Sequence, residues 1–176
     1  MSILRFLGLG GPGPGRDAEP DSLTEMVATL NDLPVEEARL AAAFAYLLAR
    51  VAGSDLRTDD SEKASMAERL ATFGQLEVAQ AELLAETAIR AAEVHGATDD
   101  HLVARAFRDM TELPERIRLL RCLYAVAAAD ETITTVEDNE IFEIATAIGL
   151  GRNDVLVLRS EWKQYLGTMK ALPRER

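Results

Sequence analysis

The sequence is poor in most of the groups that carry enzyme chemistry or stitch small folds together. A single cysteine, Cys122, stands among 176 residues. No internal disulfide can form, which fits a reducing compartment, and the apolar neighbours Leu119, Leu120, Leu123 and Tyr124 suggest a buried, inert thiol. There are two histidines, His95 and His101. With no cysteine near them in sequence they read as surface residues rather than zinc ligands. Aromatic residues make up only 5% of the chain, too few for a β-sandwich or barrel core. Basic residues are outnumbered, 19 to 30, for a formal net charge of −11. Such a chain repels phosphate backbones, which argues against nucleic acid as a partner. Long apolar runs are also missing. The longest, residues 40–49, is flanked by Arg39 and Arg50 and is far short of the ~20 residues that span a bilayer. The N-terminal stretch MSILRFLGLGGPGPG has neither a separate basic region nor an A-x-A site, so it makes a poor secretory signal. No serine, cysteine or lysine lies in a nucleophile motif, and Gly8-Leu9-Gly10-Gly11 follows no strand. Nothing reads as an active site, and the chain is expected not to be an enzyme.

What the sequence does have is alanine, leucine and helical periodicity. Hydrophobic residues reach 48%, a balance that favours closely packed helices. The chain divides into a flexible Gly/Pro-rich segment over 1–21, one helical domain over 22–167 and a basic tail over 168–176. The spacing predicts an all-α bundle of about eight helices. Ser22 and Glu25 form a capping box that opens a short helix to about residue 31. Pro34 opens the next, with Leu40, Phe44, Leu47, Leu48 and Val51 on one face. A third carries Met66, Leu70 and Phe73 and is expected to end at Gly74 in a left-handed cap. A fourth spans 76–95 and a fifth carries Leu102, Val103, Ala106, Phe107 and Met110. The sixth starts at Leu113-Pro114 and turns Ile117, Leu120, Leu123, Tyr124 and Ala127 inward. The seventh carries Ile141, Ile144, Ala145 and Ile148 and ends at Gly149. The eighth is striped by Val155, Leu158, Trp162, Tyr165 and Leu166.

An internal repeat is the strongest pattern. A shift of 75 residues places Leu48 on Leu123, Val51 on Val126, Ala52 on Ala127, Asp55 on Asp130, Glu62 on Glu137, Glu68 on Glu143 and Gly74 on Gly149. Met66 and Phe73 fall on Ile141 and Ile148, so core positions stay apolar. Two helix–acidic loop–helix copies related in this way can bury each other's open faces. Two readings of the loop carboxylates stand side by side. In one they cap helices: Thr134 and Glu137 make a capping box, Asp59-Asp60-Ser61-Glu62 is its near relative, and Asp55 and Asp130 close loop amides. In the other, Asp55 and Glu62, or Asp130, Glu137 and Glu140, supply the hard oxygen ligands that calcium or magnesium takes. Neither loop is an EF-hand, since position twelve is Met66 or Ile141 and position six is Asp60 or Thr135.

The second copy resembles the TerB-like tellurite-resistance family. The residues that carry the resemblance are Val126-Ala127-Ala128-Ala129-Asp130-Glu131-Thr132-Ile133-Thr134, then Glu137, Glu140 and Ile144-Ala145-Thr146-Ala147-Ile148-Gly149-Leu150. They resemble the family's "A-x-A-D-G-x-I-x-x-x-E" stretch and its "I-A-x-x-L-G-L" helix end. The first copy, from Val51-Ala52-Gly53-Ser54-Asp55 to Glu62 and Gly74, is a degraded version. The resemblance covers about residues 22–166. It implies an all-helical, non-enzymatic domain with acidic residues suspected of binding a divalent cation. It also implies a cytoplasmic role in tellurite or general stress resistance, beside integral membrane partners of the TerC type or joined to DnaJ-like co-chaperone modules. The glycine that follows the aspartate in the family is Leu56 in one copy and Glu131 in the other. If that glycine supplies a left-handed turn, these loops must close differently. The acid excess suits a basic partner segment held at the loop residues Asp59 and Asp60. An alternative is peripheral membrane association through residues 1–9, with Ile3, Leu4, Phe6 and Leu7 as an apolar foot and Arg5 at the headgroups.

Overall fold

The computed structural model describes Leu7 and residues 30–31, 33–54, 60–94 and 97–170. Among these, eight helices follow one another: α1 (Val35–Ala52), α2 (Asp60–Gly74), α3 (Val78–Val94), α4 (Ala97–Met110), α5 (Leu113–Ala127), α6 (Thr135–Ala147), α7 (Arg152–Glu161) and a single turn, α8 (Gly167–Lys170). The helix expected over 22–31 lies outside the described residues apart from the turn at its end. No strand is assigned among the described residues. One isolated parallel bridge joins Ile133 to Leu166.

Helix α1 is the hub. Its periodicity predicted one apolar face, but the helix is buried on nearly every side from Ala41 to Ala49, with Leu40 itself only half-buried. Its run of alanines explains this. Small side chains let α2, α3, α4, α5 and α6 all pack against one helix, and a helix apolar all round belongs inside. Phe44 stacks on Phe73 of α2 with ring centroids 3.9 Å apart and lies 6.3 Å from Phe107 of α4. On the far side of Phe73, the Arg118 guanidinium sits 5.3 Å from the ring centroid.

The 75-residue repeat is visible in the backbone. Helix α1 ends at Gly53, whose N–H donates to Ala49 O at 2.9 Å. Helix α5 ends at Ala128, whose N–H donates to Tyr124 O at 3.0 Å. The next amides, Ser54 to Val51 O and Ala129 to Val126 O, also correspond, at 3.1 and 3.0 Å. Helices α2 and α6 start in register, at Asp60 and Thr135. Glu62 and Glu137 are both buried, and so are Met66 and Ile141.

The copies part at the far ends of α2 and α6. Gly149 takes the expected left-handed conformation, φ +82°, and Leu150 N–H closes the helix on Ala145 O at 2.9 Å. In the first copy Gly74 stays in the helix. Gln75 takes the left-handed position, φ 52°, and Leu76 N–H bonds Ala71 O at 3.2 Å. The leucine explains the slip: this closure places an apolar residue just past the left-handed one, and Leu76 and Leu150 are the buried residues available.

The expected eighth helix also divides. Helix α7 stops at Glu161 with Trp162 as its C-cap, and the chain then runs past Ile133. Ile133 N–H donates to Tyr165 O at 2.7 Å, and Gly167 N–H donates to Ile133 O at 2.9 Å. Ile133 is buried, so its backbone groups need protein partners, and the break in the helix supplies them. Trp162 packs between Tyr124 and Tyr165 instead of continuing the stripe.

Candidate functional site: the second acidic loop and the clefts around it

The second loop is built from short-range bonds. Asp130 is exposed, and its Oδ1 accepts the Thr132 N–H at 2.8 Å, which is the local turn that aspartate favours. Glu131 follows with φ 69°. The loop therefore keeps a left-handed turn where the sequence lacks glycine, and a glutamate bears the strain. That corrects the expectation that the loop closes differently. Replacing Glu131 with glycine should relieve about 1–2 kcal/mol of left-handed strain and return part of it as unfolded-state entropy. We expect Glu131→Gly to raise stability by about 0.5–1 kcal/mol, read as a higher melting temperature. An unchanged or lower value would show that the turn is unstrained.

Thr134 caps α6. Glu137 N–H donates to Thr134 Oγ1 at 3.2 Å, and Glu137 Oε2 accepts both the Thr134 N–H at 2.7 Å and its hydroxyl at 2.8 Å. Glu137 is 3% exposed, so this reciprocal box is also the way a buried carboxylate is satisfied. Glu140, one turn on, points elsewhere. Its carboxylate accepts from Arg50 of α1 at 3.1 Å, and the same Arg50 nitrogen lies 3.0 Å from Asp100 of α4. Asp100 in turn accepts the Tyr46 hydroxyl at 2.6 Å. Burial pushes the Glu140 carboxyl above its ordinary range. Arg50 pulls it back only in part, while Asp100 and Glu143 push the same way as burial.

A second polar node lies beyond it. Arg159 of α7 holds Asp138 with its fork, Nε at 2.9 and 3.0 Å from the two carboxylate oxygens and Nη2 at 2.6 Å. The Asp138 hydrogen bond raises the Arg159 guanidinium above its ordinary value. Burial raises the Tyr124 phenol, and Asp138 adds to the effect. Tyr124 Oη donates to Asp138 Oδ1 at 3.4 Å, so α5, α6 and α7 meet at one carboxylate. Nothing in spacing or composition pointed to Asp138 and Arg159. Arg50 did carry a signal, a charge that ends the apolar run over 40–49.

Thus Asp130, Glu137 and Glu140 turn to Thr132, Thr134 and Arg50 respectively. Among the described residues, no three His, Cys, Asp or Glu side chains form a group that could hold a metal ion. Of the first-copy residues, Glu62 is buried and Asp60 is fully exposed, 3.7 Å from Lys63. Asp55 and Asp59 lie outside the described residues, as does His95. His101 is exposed on α4. Cys122 is only half-buried rather than fully enclosed. Burial raises its thiol, against the pull of Arg69 and Arg118, which keeps it unreactive.

Two clefts are formed among the described residues. One, of about 500 Å³, lies between α2 and α3 and is lined by Lys63, Ala64, Ala67, Ala71, Ala85 and the carboxylates Glu68, Glu82 and Glu86, among others. The other, of about 640 Å³, lies between α4 and α6 and is lined by His101, Arg105, Arg108, Phe142, Glu143 and Ala147, among others. No described helix is long and apolar enough to cross a membrane.

No curated protein and no solved structure gives a significant match to this chain. The profile of the family described as tellurite resistance protein TerB matches residues 39–160. That span runs from the first turns of α1 to the end of α7 and takes in both acidic loops. The chain belongs to the TerB family of tellurite resistance proteins.

Proposed function

We propose that this chain is a non-enzymatic cytoplasmic binding module in tellurite and general stress resistance, and that it recruits a basic segment of a partner protein. The partner class is an integral membrane protein of the TerC type, met through one of its cytoplasmic loops. The observation that carries this reading is the α2–α3 cleft, whose lining combines four alanines with Glu68, Glu82 and Glu86 against a single cation, Lys63. Asp60 extends the acidic edge to the start of α2. A basic amphipathic helix would lay its apolar face on the alanines and its cations on Glu68, Glu82 and Glu86. The net charge of −11 steers such a segment toward the surface. The peripheral-membrane alternative has weaker support, because Leu7 of the apolar foot is buried against the core.

Capture of a basic amphipathic peptide should fall steadily with salt, since added ions screen exposed charges beyond ~8 Å at physiological strength. The double reversal Glu82→Lys and Glu86→Lys should weaken capture at least tenfold. Reversal of Asp59 and Asp60 should weaken it less, and reversal of Glu161, far from the cleft, should leave it unchanged. Binding that survives molar salt, or that ignores the cleft glutamates, would refute the reading. Vesicle co-sedimentation with and without residues 1–15 tests the alternative.

A further inference from the structure

The α4–α6 cleft is lined mainly by basic and apolar side chains. On a chain of net charge −11, one wall carries His101, Arg105 and Arg108 at helical spacing, on one face of α4. Arg105 and His101 are exposed, and among the described residues neither makes a hydrogen bond or ion pair. Arg108 is held only by its neighbour Asp109, at 2.9 and 3.0 Å, and that pair is largely exposed. An exposed pair of this kind is worth little and exchanges readily for a better carboxylate. The other wall, from α6, offers Phe142 and Ala147, with Glu143 between them in sequence.

We propose that this cleft is a docking site for an acidic, extended peptide segment in which carboxylates alternate with apolar side chains. The two walls set that pattern. An extended chain sends successive side chains to opposite sides, so acids meet the arginines while apolar groups meet Phe142 and Ala147. Glu143 repels a carboxylate on the apolar wall and so fixes the orientation. His101, Arg105 and Arg108 together span about 10 Å along α4, the length of about three extended residues. Arginine suits the task because its fork takes a carboxylate through two bonds. The cleft is open along its length, whereas a small-molecule site buries most of its ligand. A nucleic acid would carry its charge across the surrounding carboxylates and be repelled. This surface is distinct from the α2–α3 cleft, and its occupant has the opposite charge.

The test uses the full chain and a fluorescein-labelled peptide of eight residues with glutamate and leucine alternating, read by anisotropy at 50 mM salt. Binding should weaken at least tenfold with glutamine in place of the glutamates, and at least tenfold with Arg105→Glu. A blocked version, with four glutamates followed by four leucines, should also bind more weakly. Glu143→Gln should not weaken binding of the alternating peptide, and it should improve binding of the blocked one. Melting curves confirm that the variants are folded, which exposed positions permit. Equal binding of the glutamine peptide, indifference to Arg105→Glu, or tighter binding of a single-stranded oligonucleotide would each overturn the proposal.

Discussion

Arg50→Met should destabilise this protein by about 2–4 kcal/mol at neutral pH, lowering the melting temperature by about 5–10 °C. Arg50 bridges Asp100 of α4 and Glu140 of α6, and both carboxylates are mostly shielded from water, at 15% and 17% side-chain exposure. Methionine fills the volume of the arginine stem but leaves two carboxylates facing each other. Removing one partner of a buried pair typically costs 3–5 kcal/mol. Solvent reaching the partly exposed guanidinium scales that down.

The pH dependence follows from the signs. Glu140 already sits above its ordinary range because burial outweighs Arg50. Loss of Arg50 removes the influence that lowers it, so the carboxyl rises further. A carboxyl raised in the folded state favours folding while protonated, and that contribution is lost as pH rises through its folded value. The deficit of Arg50→Met should therefore shrink between neutral pH and the acid range. A deficit that stays constant down to pH 4 would show that Arg50 acts through packing alone.

The second large effect is expected at Glu137. Glu137→Ala removes two hydrogen bonds to a buried carboxylate oxygen and with them the glutamate half of the α6 capping box, while the Thr134 hydroxyl still caps the residue-137 N–H. The cost should be about 2–3 kcal/mol, from the lost charge-assisted bonds and the Thr134 donors left without their acceptor. Glu137→Gln keeps an acceptor for Thr134 and should cost less than about 1 kcal/mol. Melting curves with EDTA, calcium and magnesium separate this account from a cation site. If the carboxylate serves as a cap, the parent melts at one temperature in all three. If it is a ligand, calcium or magnesium raises the parent's melting temperature by mass action and leaves Glu137→Gln unmoved.

TerB membership frames both results, because the family profile covers both acidic loops. In the second copy the Glu137 carboxylate accepts two bonds from Thr134, the cap of α6. The groove-forming helices α2, α3, α4 and α6 carry the surfaces of opposite charge. A module that binds two partner segments of unlike charge could join them without chemistry of its own.

Much of this architecture was legible in the residue pattern. Helix positions follow from periodicity, because a 3.6-residue repeat is local. The two-copy design follows from Asp55/Asp130, Glu62/Glu137 and Gly74/Gly149, because a duplicated unit keeps its caps and core phase together. The capping role of Glu137 was also local, three residues from its partner. What only the tertiary structure decided lies in long-range pairing. The Arg50–Asp100–Glu140 bridge joins three helices far apart in sequence. The left-handed position slipped to Gln75 because Leu76, rather than the residue after Gly74, is the side chain the core receives. The last predicted helix broke because the buried amide and carbonyl of Ile133 needed partners from residues 165 and 167. The two clefts owe their walls to separate helices, and no stretch of sequence carries both. Local spacing determines which residues can form a helix face. Which faces meet, and which charges then share one small volume, is settled only when the helices pack.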